Sequence, residues 1–153
     1  MELYQVNWSW SKDTERFLRN ITSGKTVLSL PCGMSKVGSV RADLDPKTKP
    51  DIICSLFYPP FKPLSFDTVI CDPPFNYFNK FAWMLPLSDL AKDEFILCSP
   101  KILPRLKHFS RTLYATIQRN NFFIRNWIYF KRRSARIKSY RWLMKTQQTT
   151  LYK

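Results

Sequence analysis

Residues 68–75 have the sequence Thr68-Val69-Ile70-Cys71-Asp72-Pro73-Pro74-Phe75. The apolar run predicts a buried strand, and the two prolines end it in a rigid corner because each fixes φ and restricts the residue before it. Such a corner can hold the Asp72 carboxylate and the Pro73 carbonyl in one array, with the aromatic ring of Phe75 beside it. These groups suit a flat ring that bears an amine. The simpler interpretation is a strand that ends in a proline turn.

The sequence upstream of this corner favours a nucleotide-binding site. All three glycines of the chain lie between residues 24 and 38. One of them, Gly33, follows an apolar stretch, where a glycine lets the backbone approach a ligand closely. Residues 40–43 then predict a short strand that ends in an acid, Asp43. An acid at the end of the second strand of a nucleotide-binding α/β fold is placed to accept hydrogen bonds from ribose hydroxyls.

The order of these pieces resembles that of the class I S-adenosylmethionine-dependent methyltransferases, and within them the enzymes that methylate exocyclic amines of nucleobases. The resemblance covers roughly residues 24–100, and its most specific part is the Asp-Pro-Pro-Phe corner. It implies a compact Rossmann-like α/β fold, with a mostly parallel sheet and an antiparallel C-terminal hairpin. The matching stretches are Leu28-Ser29-Leu30-Pro31-Cys32-Gly33, Ala42-Asp43-Leu44-Asp45-Pro46, Phe66-Asp67-Thr68-Val69-Ile70 and Asp72-Pro73-Pro74-Phe75.

The resemblance also implies roles for individual residues. The implied catalytic residues are Asp72, Pro73, Pro74 and Phe75. Asp72 and the Pro73 carbonyl would accept hydrogen bonds from the target amine, and Phe75 would stack on the base. S-Adenosylmethionine is the implied cofactor. The residues expected to bind it are Pro31, Cys32, Gly33, Asp43, Leu44, Asp45, Ser55 and Leu56, with Asp45 as the second candidate for the ribose hydroxyls.

The chain departs from the family pattern at three points. Pro31 stands where family members usually carry an acid, and Ser55 stands where an acid often holds the adenine amine of the cofactor. Both changes are expected to weaken cofactor binding. Residues 31–39 are also too few for the usual crossover helix, which needs about a dozen residues. This segment is therefore expected to cross as a loop or a short turn.

Length and composition narrow the class of protein. The 153 residues predict a single domain over residues 1–153, too short to add a separate recognition domain, so a homodimer or another protein is expected to supply sequence recognition. No run of about 18 apolar residues predicts a membrane span. No secretory signal is recognised either, so a cytoplasmic location is expected. The cysteines are expected to be buried and reduced, with no metal site; they are Cys32, Cys54, Cys71 and Cys98.

The positive charge is concentrated in the last third of the chain. Residues 1–94 hold 11 acidic and 11 basic residues, whereas residues 95–153 hold 14 Lys/Arg and no acid. Interleaved aromatic residues make this composition typical of a nucleic-acid-binding surface. One alternative is a solvated loop, in which acidic and basic residues are usually mixed. The other is a membrane-binding segment, which usually has a helix with an apolar face. The residues expected to contact nucleic acid are Lys131, Arg132, Arg133, Arg136, Lys138 and Arg141.

Sequence patterns also predict the secondary structure. Residues 11–21 predict a helix with Ser11 or Asp13 as its N-cap, and Trp8 and Trp10 before it are either core anchors or a lid over the cofactor. Residues 87–93 predict a short helix, and residues 102–120 predict a basic helix because their apolar residues recur at helical spacing. The strands are predicted near residues 26–30, 40–43, 51–54, 67–71 and 94–99, followed by 122–130 and 146–152, which are expected to pair antiparallel across the basic segment.

Three functions remain open at this point. The first is a DNA methyltransferase that acts on the exocyclic amine of adenine, and the sequence favours it. The second is an RNA methyltransferase that acts on a guanine or adenine amine. The third is a nucleic-acid-binding module that has the same fold and no catalytic activity.

Overall fold

The computed structural model describes residues 9–74, 77, 81–99, 106, 108–117 and 124–133. Over these residues the chain forms two α-helices and seven strands, with 3-10 turns at Pro46–Thr48 and Phe81–Trp83. In chain order the helices and strands are α1 (Lys12–Ile21), β1 (Val27–Ser29), β2 (Val40–Asp43), β3 (Ile52–Ile53), β4 (Phe66–Cys71), α2 (Met84–Asp89), β5 (Ala91–Ser99), β6 (Phe109–Ile117) and β7 (Ile124–Arg132).

The seven strands form one mixed sheet in the order β3-β2-β1-β4-β5-β7-β6. Strands β1 to β5 are parallel, and β7 is antiparallel to both of its neighbours, β5 and β6. The predicted α/β class, with a mostly parallel sheet followed by antiparallel strands, is confirmed; the hairpin is formed by other residues than predicted, as described below. The carboxyl ends of β1 to β5 meet at one edge of the sheet, which we call the carboxyl edge. The chain leaves β1 toward β2 and later returns to its other side as β4, so the strand order reverses at β1, where open α/β sheets bind ligands.

Alternating side chains on the central strands build a core on each face of the sheet. On one face, Ile70 of β4 and Ile96 of β5 pack in a cluster with Leu18 of α1. On the other face, Val69 and Phe95 pack in a cluster that includes residues of α2. Successive side chains of a strand point to opposite faces, so the nearly continuous apolar runs of β4 and β5 match strands that are buried on both sides.

Helix α1 begins and ends close to its predicted bounds, and Ser11 is its N-cap. The Ser11 hydroxyl accepts a hydrogen bond from the Thr14 backbone N–H at 3.2 Å, which satisfies one of the first free donors of the helix. Asp13 and Glu15 lie in the first turn and Arg19 in the last, the arrangement of charge that a helix dipole favours. The predicted helix over residues 87–93 is shifted, because α2 ends at Asp89 and β5 begins at Ala91.

The connection from β1 to β2 contains no helix, as its length predicted. Residues 30–39 cross as turns and extended chain. Gly33 takes a positive φ of 52° in this segment, and Gly38 a φ of 117°, values that glycine adopts without steric cost. This loop therefore leaves β1 at the carboxyl edge and reaches the start of β2 at the opposite edge without a helix.

The predicted helix over residues 102–120 is wrong where the structure describes that segment, because Phe109–Ile117 is strand β6. Its apolar residues do recur at helical spacing, but Thr112, Tyr114 and Thr116 are β-branched or aromatic and favour a strand when a partner strand is present. Strand β7 supplies that partner along the whole length of β6. Tertiary pairing has overridden the local pattern.

The strand predicted over residues 122–130 is present as β7, but its predicted pairing is wrong. Strand β7 has β5 on one side and β6 on the other, so neither side is left for residues 146–152. Those residues lie outside the described part of the chain. The antiparallel hairpin is formed by β6 and β7 and precedes most of the basic segment.

No helix among the described residues is long and apolar enough to cross a membrane.

An ion pair between the half-buried Lys25 and the buried Glu94 joins the end of α1 to the sheet, at the end opposite the carboxyl edge. The Lys25 ammonium donates to both carboxylate oxygens of Glu94, at 2.8 and 2.7 Å. The Thr68 hydroxyl donates to Oε2 of Glu94 at 2.9 Å, and the Tyr129 hydroxyl donates to Oε1. Burial by itself would raise the pKa of Glu94, but the hydrogen bonds from Lys25, Tyr129 and Thr68 outweigh it and hold the pKa below its usual value.

Glu94→Gln is expected to lower the free energy of unfolding by about 1–3 kcal/mol at pH 7, because the half-buried Lys25 ammonium loses its charged partner. A carboxyl with a lowered pKa contributes stability above its unfolded pKa, about 4.3, and loses it as the pH falls through the folded value. The variant should therefore lose less stability than the parent between about pH 5 and pH 3. Urea unfolding over this range measures the difference. Asp93→Asn, at the exposed neighbouring position, is the control and should follow the parent.

Candidate functional site

The candidate site lies at the carboxyl edge, where β1 and β4 are neighbours. Ser29 of β1 pairs with Ile70 of β4, and the Leu30 N–H donates to the Ile70 carbonyl at 3.0 Å. The segments that follow these strands, Pro31–Gly33 and Asp72–Pro74, therefore begin side by side. The two predicted halves of the site, one for the cofactor and one for the target base, come together where the strand order reverses.

Asp43, at the end of β2, holds the β1 loop in place. Its Oδ2 accepts from the Gly33 N–H at 2.8 Å, and its Oδ1 accepts from the Asp45 N–H at 3.0 Å. The residue is only 2% exposed. Each carboxylate oxygen can accept two hydrogen bonds, so these two bonds do not exhaust its capacity. The structure thus gives Asp43 a structural role beside the ligand-binding role that the sequence predicts.

A pocket opens between the ends of these strands, lined by Leu30, Pro31, Asp43, Leu44, Cys54, Ser55, Leu56, Pro74 and Tyr77. Six of these residues are among the predicted site residues. Five further predicted residues do not line the pocket: Cys32, Gly33, Asp45, Asp72 and Pro73. Cys32, Asp45 and Pro73 are adjacent in the chain to residues that do, the Gly33 N–H donates to the lining residue Asp43, and Asp72 lies two residues before Pro74. The enclosed part of the pocket is about 10 Å³, close to the space that one water molecule needs; the remainder is open to solvent.

Sequence reasoning missed Tyr77, the aromatic residue that lines this pocket. The rings of Tyr77 and Phe57 lie 5.6 Å apart between centroids. The Tyr77 N–H donates to the Pro74 carbonyl at 3.0 Å, and the Trp83 indole N–H donates to the Tyr77 carbonyl at 3.0 Å. The dense aromatic composition of residues 75–83 was the only available signal, and it does not single out Tyr77.

Ser55 lies in the pocket wall at the place predicted from the third strand. Its hydroxyl accepts from the Phe57 N–H at 3.2 Å, which makes a local turn of the kind that serine favours. The hydroxyl can also donate. Ser55 therefore offers a neutral polar group where an acid was expected.

Asp72 is buried at the end of β4, at 6% exposure. The indole N–H of Trp10 donates to its Oδ2 at 2.8 Å. Of the two interpretations of Trp10, the core anchor is the one observed, because Trp10 is buried in the cluster beneath α1. Pro73 and Pro74 follow Asp72 as predicted, while Phe75 and Trp8 lie outside the described residues.

The cysteines near the site are poor nucleophiles at neutral pH. Burial, followed by the negative charge of Asp43, raises the pKa of Cys32 to about 11 and also raises the pKa of Cys54. Burial, with Asp72 beside it, raises the pKa of Cys71 well above its usual value. Thiolate is the reactive form of cysteine, so these residues act as small apolar side chains. All four cysteines are buried and free, as the sequence predicted.

The described residues of the predicted nucleic-acid-binding segment, Lys131 to Arg133, lie far from Asp72. Lys131 pairs with Glu94, whereas Trp127, at the level of Asp72, pairs with Cys98. Four residues of strand separate these levels, or about 13 Å. Lys131 and Arg133 are exposed. The predicted residues Arg136, Lys138 and Arg141 lie outside the described residues.

The prediction that Arg132 contacts nucleic acid is corrected by the structure, because its side chain is only 5% exposed. Its guanidinium donates to the Ala91 carbonyl at 3.0 Å and to the Ser88 carbonyl at 2.9 Å. It also lies 4.5 Å from the centre of the Phe109 ring. Arg132 joins the end of α2 to β5 and β6 and is part of the core.

Within the described part of the chain, no group of three or more His, Cys, Asp or Glu side chains is arranged to hold a metal ion. No family model matches the chain, and no curated protein matches it.

Proposed function

We propose that the carboxyl edge is the active site of an S-adenosylmethionine-dependent methyltransferase. The proposed acceptor is the exocyclic amine of a nucleobase, adenine in DNA. One observation carries the proposal: the acid of the Asp-Pro-Pro corner and the Gly33 loop, which is tied to Asp43, lie on neighbouring strands at the reversal of strand order. A ligand-binding crevice is expected at this place in an α/β sheet. The antiparallel strand late in the sheet is a feature of the methyltransferase class and adds support.

The chemical character of the pocket fits the proposed cofactor. Asp43 can accept from ribose hydroxyls with its remaining lone pairs, and the side chains of Leu44 and Leu56 can contact the faces of the adenine ring. Ser55 can donate to or accept from the edge of that ring. When bound, S-adenosylmethionine supplies an electrophilic methyl group on a sulfonium.

Asp72 and the Pro73 carbonyl are the proposed partners of the amine. An aryl amine is a weak nucleophile because its lone pair is delocalised into the ring. Two acceptors on its N–H groups favour a tetrahedral nitrogen and stabilise the positive charge that develops there. The N–C bond forms as the C–S bond breaks, the sulfur leaves as a neutral thioether, and the surplus proton passes from the nitrogen to solvent. Positioning of the amine against the methyl carbon is the main contribution of the protein.

The charge of the chain supports a nucleic acid as the substrate. The last 59 residues carry 14 basic residues and no acid, and a base in a duplex would have to be flipped out to reach Asp72. Because Lys131 lies about 13 Å from the level of Asp72, it and the exposed Arg133 would contact the backbone at a distance from the target base. A base amine in RNA is the alternative substrate.

One experiment tests the proposed function. The protein is incubated with S-adenosylmethionine labelled in its methyl group and, separately, with duplex DNA, single-stranded DNA and structured RNA. The products are digested, and the labelled nucleoside is identified by mass spectrometry. N6-Methyladenine in DNA is the expected product. A methylated guanine or adenine in RNA alone would replace the DNA assignment, and no methylated nucleoside in any substrate would overturn the enzymatic function.

A nucleic-acid-binding module without catalysis is the second candidate. The observation that favours it is the small enclosed volume of the pocket, about 10 Å³, together with the two backbone bonds that Asp43 already accepts. This candidate predicts salt-dependent binding of nucleic acid without any binding of S-adenosylmethionine. Calorimetry with the cofactor distinguishes the two candidates directly.

Asp43→Ala is expected to weaken binding of S-adenosylmethionine or its demethylated product by about 1–3 kcal/mol, because charge-assisted hydrogen bonds to the ribose are lost. Asp45→Ala, two residues away, is the comparison and should have the smaller effect. Calorimetry measures the affinity of both variants, and urea unfolding shows how much stability Asp43→Ala loses with its bonds to Gly33 and Asp45. A larger effect of Asp45→Ala would assign the ribose contact to Asp45 instead.

A further inference from the structure

The side chain of Asp72 needs a partner to hold its orientation. The proline that follows restricts the backbone of Asp72, but rotation of a carboxylate about its last bond is broad and has no strong preferred angle. For two acceptors to meet one amine, the plane of the carboxylate must be set before the base arrives, because catalysis of this kind depends on preorganised groups.

The indole of Trp10 is placed to set that plane. Its N–H can only donate, and it donates to one oxygen of Asp72 at 2.8 Å. The ring also packs against that of Trp127, with the two ring centroids 5.5 Å apart in an edge-on arrangement. Trp127 is on β7, level with Asp72 across the sheet. A hydrogen bond between residues 62 positions apart in the chain thus links Asp72 to the core beneath α1.

We propose that Trp10 is a positioning residue for methyl transfer, which orients the Asp72 carboxylate toward the target amine. This inference rests on the proposed function, because it assigns the orientation of the same acceptor. The opposite role, a lid that leaves when the base enters, would require a buried indole to withdraw from a cluster with Leu18, Ile70 and Trp127. It would also leave a buried carboxylate without this donor, which is unfavourable. The packing therefore favours a bond that persists through turnover.

The two tryptophans provide a matched pair of variants. Both are buried in the same cluster, but the indole nitrogen of Trp127 is a buried donor without a hydrogen-bond partner. Trp10→Phe removes a ring and the bond to Asp72, whereas Trp127→Phe removes the same ring without a bond. Both variants lose similar packing, so a difference between their rates of methyl transfer measures the effect of the hydrogen bond from Trp10 to Asp72.

The test is single-turnover methylation of the nucleic acid that the parent methylates. Trp10→Phe is expected to slow methyl transfer by about 10- to 100-fold, with dissociation constants for S-adenosylmethionine and nucleic acid within about twofold of the parent. Trp127→Phe should stay within about threefold of the parent rate. Equal slowing by the two variants, or a faster reaction in Trp10→Phe as a lid would give, overturns the inference. A parent that methylates nothing overturns the proposed function instead.

A double-mutant cycle measures the coupling between Trp10 and Asp72 in the rate of methyl transfer, which a loss of packing alone would not produce. An asparagine at position 72 has one carbonyl oxygen, for which the Trp10 N–H and the target amine would compete. Asp72→Asn is therefore expected to slow methyl transfer at least about threefold less in the Trp10→Phe background than in the parent. If Trp10→Phe does not fold, Trp10→His is the second variant for the rate measurement; it keeps a ring N–H and is expected to retain part of the parent rate, with a weaker coupling to Asp72→Asn than a variant that removes the N–H. Additive effects of Trp10→Phe and Asp72→Asn overturn the inference.

Discussion

Asp72→Ala is expected to slow methyl transfer by roughly 30- to 1000-fold. The substitution removes a charged acceptor from the developing positive charge in a buried site, which costs about 2–4 kcal/mol of transition-state stabilisation. Asp72→Asn should keep a measurable rate, because one carbonyl oxygen remains. Both variants should still bind S-adenosylmethionine and nucleic acid, since Pro73 and Pro74 maintain the corner. Single-turnover assays on the three proteins measure the rates.

The stability of the Asp72 variants must be measured alongside the rates. Asp72→Ala leaves the Trp10 indole N–H without the acceptor seen at 2.8 Å, which is expected to lower the free energy of unfolding by about 1–3 kcal/mol. Rates are therefore compared at a temperature where circular dichroism shows every variant to be folded. Turnover by a folded Asp72→Ala at the parent rate would mean that the corner is only a turn, and the enzymatic proposal would be abandoned.

Arg132→Ala is expected to destabilise the fold and Arg133→Ala is expected to leave its stability unchanged, although the two residues are adjacent. Arg132→Ala should lower the free energy of unfolding by about 2–4 kcal/mol, because it removes two charged hydrogen bonds to buried carbonyls and the contact with the Phe109 ring. Arg133→Ala should leave stability within about 0.5 kcal/mol of the parent, as is usual at exposed positions. Urea unfolding of the two variants measures the difference.

For nucleic-acid binding the expected order is reversed, and Arg133→Ala should weaken the affinity more than Arg132→Ala. If Lys131 and Arg133 contact the phosphate backbone, Arg133→Ala should lower the slope of log affinity against log salt by about one unit. The rate at saturating nucleic acid should be unchanged, because Lys131 and Arg133 lie at least about 13 Å from the level of Asp72. An affinity that does not depend on salt would show that the exposed basic residues serve another purpose.

Much of the first two thirds of the fold was predictable from local sequence. Strands β1, β4 and β5 contain apolar runs bounded by turn residues, and their positions followed from that pattern; β2 is a short strand that ends in an acid. Helix α1 was marked by its serine N-cap and its apolar face. The short connection after β1 followed from a residue count alone, because too few residues separate β1 from β2 for a helix.

The candidate site was predictable only in part. Asp43 and Asp72 could be singled out because each is an acid directly after a predicted strand, and parallel strands end at the same edge of a sheet. Tyr77 could not be singled out, since it is one aromatic residue among several in its segment. The bond between Trp10 and Asp72 could not be predicted either, because the two residues meet through the packing of α1 against the sheet.

By itself, the sequence determined the class of the fold, the short loops at the carboxyl edge and the acids that follow two of its strands. These features depend on neighbouring residues: apolar runs, glycines, prolines and caps act over a few positions. Only the tertiary structure decided that Phe109–Ile117 is a strand, that β7 lies between β5 and β6, and that Arg132 is buried while Arg133 is exposed. Strand partners and their register depend on contacts between distant segments, and a one-residue change of register exchanges the two faces of a strand. The pattern of charges along the chain therefore could not show which arginine faces solvent.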